Sequence, residues 1–167
     1  SIYNSYFTSM INGQNSQVEY SFNCTILNGT NNKFFAGIRS NILNGLDNYI
    51  KYGTTTNILN GRNNYIRSSD FSSIINGRNN EIIAGYGNFN IINSGLFNYI
   101  SDSNISGILI GNRNEIYDSI HSSIISGRKN FLQYQNYSNI HGGYNNRITN
   151  SNNLNYGYHH IIAGASN

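Results

Sequence analysis

Apolar residues recur along this chain at fixed distances from a glycine. The glycines are Gly13, Gly29, Gly45, Gly61, Gly77, Gly95, Gly111, Gly127 and Gly143. Their spacing is constant except between Gly77 and Gly95, where it is longer by two. Three positions before them stand Met10, Ile26, Ile42, Ile58, Ile74, Ile92, Ile108, Ile124 and Ile140. Five positions after them stand Val18, Phe34, Ile50, Ile66, Ile82, Ile100, Ile116, Leu132 and Ile148. A repeat of this length marks an array of stacked units. The period fits no heptad, and β-branched anchors favour strands over helices. The pattern predicts two short strands per coil, with the two apolar columns lining the inside.

The polar positions choose between two β architectures. Asn-Gly between apolar runs is a hairpin signal, so an antiparallel meander is the rival. Yet Asn recurs three positions after the glycine in every coil from Asn32 to Asn146. Identical columns align only when the coils stack in parallel, about 4.8 Å apart. There the Asn side chains are expected to bond to one another as a ladder. Small residues eight after the glycine (Ser21, Gly37, Gly53, Ser69, Ser103, Ser119) read as corners. The expected fold is all-β: a parallel β-solenoid of about ten 16-residue coils, one repeat-built unit over residues 1–167. The two extra residues of the long step are expected to bulge near Gly85–Asn88, and the register of the last coil, Leu154 to Ile162, is ambiguous.

One apolar column does not belong inside. Two before the glycine stand Ile11, Leu27, Leu43, Leu59, Ile75, Leu109 and Ile125, interrupted by Asn93, His141 and, in the last coil, Asn155. Neighbours along a strand point to opposite faces, so this stripe should lie outside the coil. An exposed aliphatic stripe marks an interface, and so short a coil encloses a thin core. Both arguments point to an oligomer of this chain with Leu27, Leu43, Leu59, Ile75, Leu109, Ile125, Asn93 and His141 along its axis. The competing reading folds both columns inward.

Composition narrows the classes. Asn makes up about a fifth of the chain, several times the ordinary share. Charged residues are 10%, the net charge is +3, and the basic residues are scattered, which gives no stripe for a nucleic acid. Cys24 stands alone and no metal-ligand spacing occurs, so neither a metal nor another cofactor is expected. No apolar run approaches the roughly 18 residues that a spanning helix needs, so no membrane insertion by a helix is expected. Ser1–Ser5 joins the register directly. Ile161-Ile162-Ala163-Gly164 echoes Ile82-Ile83-Ala84-Gly85, as though the chain stopped mid-repeat. The sequence therefore reads as a segment of a longer fibre.

The pattern Ser-Ile-x-x-Gly-x-x-Asn-x-Ile/Leu is carried by Ser73, Ile74, Gly77, Asn80 and Ile82, and again by Ser123, Ile124, Gly127, Asn130 and Leu132. It resembles the YadA-like head repeats of trimeric autotransporter adhesins, and related fibre repeats of phage and giant viruses. The resemblance implies a left-handed, trimeric β-roll, extracellular on a cell or virion surface and used for attachment. The chain departs from such heads in being richer in Asn and Tyr and poorer in Ala.

For binding, the column four after the glycine is expected to point outward, with Tyr49, Tyr65, Tyr99 and Phe131. A late group holds Tyr134, Tyr137, Tyr144, Tyr156 and Tyr158. Such aromatics stack on sugar rings or pack against a protein partner; the competing role is cross-coil stacking within the rod. Asp102 and Asp118 share a column, at the spacing of a retaining glycosidase pair, with His121 nearby; a solvated surface pair is the plainer reading, and no catalytic residue is assigned. Thr54-Thr55-Thr56 makes no ladder of the ice-binding kind. The expected function is attachment to a surface glycan or matrix protein, with a carbohydrate-active β-helix enzyme or its stem as the alternative and an ice-binding solenoid as the second.

Overall fold

The computed structural model describes residues 1–84, 89–149 and 158–165. The chain winds through about nine turns of a parallel β-solenoid. Two ten-stranded sheets face each other, every pairing among the described residues parallel. The front sheet runs from Ile2–Tyr3 to Arg147–Thr149, and the back sheet from Ser9–Gln14 to His160–Ile161. Stacking follows the columns: Ile50 lies on Ile66, and Ile42 on Ile58. The long step leaves this intact, since Ile82 pairs with Ile100 and Ile74 with Ile92. The bulge expected at Gly85–Asn88 lies outside the described residues, as do Asn155 and Tyr156.

The core is the pair of apolar columns. Ile26, Ile42, Ile58, Ile74, Ile92, Ile108, Ile124 and Ile140 from the back sheet are fully buried, as are Ile50, Ile66, Ile82, Ile100 and Ile116 from the front. Burying each contributes about 1.5–3 kcal/mol. The minus-two side chains lie outside it: Leu27, Leu43, Leu59, Ile75 and Ile125 are half-exposed and Leu109 exposed. The reading that folds both columns inward is thereby excluded.

Within each coil the structure reveals a half-repeat of half the glycine spacing. A bridging residue is followed by one in the left-handed region, then a buried polar residue, then a strand with a buried Ile at its centre. A second left-handed residue ends most half-repeats. In the front half these are Arg62, Asn63, Asn64, Ile66 and Ser68; in the back half of an earlier coil, Ile38, Arg39, Ser40, Ile42 and Asn44. The plus-eight column lies within the corner between the two strands, as its small residues predict. The bends lie to either side, at left-handed residues such as Tyr52 and Thr55. The plus-eight residues are small because they face inward: Ser21 is buried, donates to the Glu19 carbonyl at 2.8 Å and accepts from the Gly37 N–H at 3.1 Å.

The same half-repeat fixes the final coil. Ile161 pairs with Ile140 in the minus-three column, and Gly164 follows Gly143. The echo of Ile82–Ala84 equates Ile161 instead with Ile82, which stands in the plus-five column. The two positions are equivalent in the half-repeat, which is why the echo arises.

The buried Asn column also differs from expectation. These side chains do not bond to one another. Asn64 Oδ1 accepts from the Asn80 N–H at 3.0 Å, and Asn64 Nδ2 donates to the Gly77 carbonyl at 3.1 Å. Asn48, Asn98, Asn114 and Asn130 bind the next coil in the same way. Buried backbone groups at the corner are satisfied in this way. Amide-to-amide bonds of the expected kind run outside, from Asn28 to Asn44 to Asn60. The serines eleven after the glycine do the Asn job in the back half: Ser40 Oγ accepts from the Thr56 N–H at 3.1 Å.

Candidate functional site

Two outward surfaces carry the candidate residues. On the front sheet, residues four and six after the glycine flank each buried Ile. Tyr49 and Tyr65 stack with centroids 5.3 Å apart and planes 19° apart. Tyr99 and Phe131 are two coils apart and are joined by Tyr117, at 5.1 and 5.6 Å. Arg147 lies over the Phe131 ring at 5.0 Å. All four predicted front-face aromatics are half-buried in these stacks, each stack contributing about 0.5–1.5 kcal/mol. Cross-coil stacking therefore describes what these rings do within the chain. Tyr117, which the sequence did not single out, belongs to the six-after column and was hidden by its mixed composition.

Tyr144 is not brought to this surface. It sits one after its glycine, on a corner, beneath Arg128 and Lys129. Of the other late tyrosines among the described residues, Tyr134 falls in a further column. Tyr137 instead stacks on His121 at 5.1 Å and on Tyr158 at 5.4 Å.

The front face holds its acids with difficulty. Burial raises the Glu115 carboxyl above its ordinary value, and burial raises Glu81 against the pull of Arg67. Burial, with Glu115, Tyr99 and Glu81 beside it, pushes the Tyr117 phenol up to about 12. Asp118 is raised by burial first and by the Asp102 charge second. The aspartates stand in adjacent coils, both exposed; Asp102 Oδ2 accepts from Ser101 Oγ at 2.7 Å.

The back face differs along its length. In the early coils it reads Asn41, Leu43 and then Asn57, Leu59, bordered by Arg39 and Thr55. From Phe71 onward the bordering column becomes an exposed ridge: Phe71, Phe89, Ile105, His121, Tyr137 and Tyr158. Phe71 and Phe89 stack at 4.8 Å. Phe71, Ile105, His121 and Tyr137 hold left-handed φ of 53°, 52°, 53° and 57°. Bulky and β-branched residues are disfavoured there; the equivalent column at the other edge is mostly Asn (Asn15, Asn31, Asn63, Asn79, Asn145), with Asp47, Phe97, Arg113 and Lys129 in the remaining coils. Between ridge and leucine stripe runs an open groove of about 430 Å³, lined by Phe89, Ile91, Ile105, Leu109, His121 and Ile125 around Gly107. Sequence reading passed over the ridge because left-handed positions are recognised by Asn and Gly, and these residues are neither.

The predicted axial polar positions fall on this face. Asn93 is half-buried, and His141 is exposed with His160 beside it, ring centroids 6.5 Å apart. The structure holds no grouping of three potential metal ligands among the described residues. Burial raises the Cys24 thiol, whose Sγ contacts the Phe22 carbonyl. Comparison with protein-family models finds no match, and comparison with curated proteins finds none.

Proposed function

We propose that this chain is a rod-like segment of a trimeric, extracellular surface fibre that mediates attachment to a glycan or matrix protein on another surface. The observation that supports it is the back-face stripe. Leu27, Leu43, Leu59, Ile75, Leu109 and Ile125 stand outside the coil, on a body whose own core is already complete. Such a stripe is the seam of an assembly. Attachment follows from repetition: weak sites carried three times around an axis gain avidity through linkage without new contacts. The front face, turned outward in such a trimer, is the contact surface.

Light scattering on a sizing column tests the reading. A mass three times 18.7 kDa supports it. A mass of one chain sinks it and turns the stripe into a binding face for something else. The carbohydrate-active alternative keeps one supporting observation, the influence of Asp102 on Asp118. Turnover of a bacterial polysaccharide that disappears in both Asp102→Asn and Asp118→Asn would favour it.

A further inference from the structure

Two residues break their columns in the same coil. Four before the glycine, every coil carries a side chain except at Gly107. One before the glycine, every coil carries Asn, Ser, Gly or Ala except at Ile110. Gly107 is not demanded by the backbone, since its φ lies outside the left-handed region. Its missing side chain opens the back-face groove between Ile105 and Leu109. Ile110 stands at the opposite border of that face, 58% exposed. Its N–H donates to the Ile125 carbonyl at 3.0 Å, which holds it in register with the stack.

Knob and hole therefore lie at one height along the rod, on opposite borders of one face. They cannot meet within a chain, because the stretch from Ile105 to Ile110 spans roughly 16 Å when extended. Level knobs and holes meet when parallel copies stand side by side in register. We infer that Ile110 of each copy seats in the Gly107 groove of the next, and that this contact sets the axial register of the trimer. The inference rests on the trimeric reading given above.

The leucine stripe cannot set the register by itself. Leu27, Leu43 and Leu59 are identical and one coil apart, so a slip of one coil would largely restore their contacts. Interfaces built from repeats need one feature that rejects the slipped state. A slip here would set Ile110 against Ile91 or Ser123, which fill their column where Gly107 does not. The extent of the face suits such an interface: about 16 Å by about 43 Å, near 700 Å², against about 800 Å² per partner in a standard one.

The test pairs mass with cross-linking. Ile105→Cys and Ile110→Cys are combined in a Cys24→Ser chain, serine being what that column holds in Ser40, Ser72 and Ser106. A short bismaleimide cannot bridge the two positions within one chain. The expected product is a covalent trimer, with at most dimers from either single cysteine. A threefold native mass without covalent trimer overturns the knob-and-groove contact while leaving the trimer standing. A mass of one chain overturns both. Ile110→Asn guards against misfolding, since Asn is the usual residue of that column and the site is exposed; trimer dissociation should rise about tenfold or more. An unchanged dissociation constant overturns the inference.

Discussion

The front and back halves of each coil follow one plan and end with opposite outer faces. Inside they are nearly interchangeable: a buried Ile in each strand, a buried polar side chain before it, a small residue or glycine after it. Outside, the front carries stacked rings with strained acids, and the back carries aliphatic side chains with an aromatic border. The difference teaches that shape and surface are written in separate columns. The inward columns repeat because every coil needs them, so the outward columns are free to diverge.

The sharpest way to break the equivalence is at the glycines. Gly77 has φ +118°, and a Cβ there would run into the Gly95 carbonyl and Asn80 Nδ2. Gly37, which holds the equivalent place in the other half of an earlier coil, has no such φ, and its Cβ would meet Cys24 Sγ and Phe34 Cδ1 at 3.3 Å. Gly77→Ala should cost about 3–5 kcal/mol in urea unfolding, and Gly37→Ala about 1 kcal/mol or less. Equal losses would mean the two corners are held alike.

A second contrast lies in the polar columns. Asn64→Ala strands the Asn80 N–H and takes one of two donors from the Gly77 carbonyl, which keeps the Arg62 N–H, at about 1–3 kcal/mol in the same assay. Ser106→Ala removes longer bonds, 3.2 to 3.4 Å, and should cost about 1 kcal/mol. The faces differ next. On the trimeric proposal, Leu43→Lys with Leu59→Lys should reduce the solution mass to one chain without changing the strand signal in circular dichroism. Tyr65→Lys should leave the mass unchanged and lower stability by about 0.5–1.5 kcal/mol.

The smallest effect is electrostatic. A carboxyl raised by folding binds its proton more tightly in the folded state. Its charged form opposes folding, so stability falls as pH rises from the ordinary Glu value through the raised one, and then levels off. Glu115→Gln should slightly raise stability at pH 7, change little at pH 3, and flatten the slope between. A steeper slope in the variant would show that the Glu115 charge is welcomed.

Much of the fold was legible because the core positions repeat by residue type: an apolar anchor, most often Ile, in every coil on each of two columns leaves little freedom. The half-repeat was not legible, because its equivalent positions carry different residues, Asn64 in one half and Ser40 in the other, joined only by a shared geometry. The candidate surface was partly legible. Tyr49, Tyr65, Tyr99 and Phe131 share a column, whereas Tyr117 joins them from the neighbouring one, and Tyr144 merely lies near others in sequence. The ridge from Phe71 to Tyr158 went unread because its residues contradict the local backbone they occupy.

The inward Asn and Ser side chains that bond across coils reach the same way, from one coil to the backbone of the next. The rod therefore has a direction of growth. Each finished turn displays a ready set of donors and acceptors, and the turn after it is laid onto that set as a thread is laid onto a bobbin. A chain emerging amino end first can wind itself without waiting for its far end, with each loop closing over no more than a single coil.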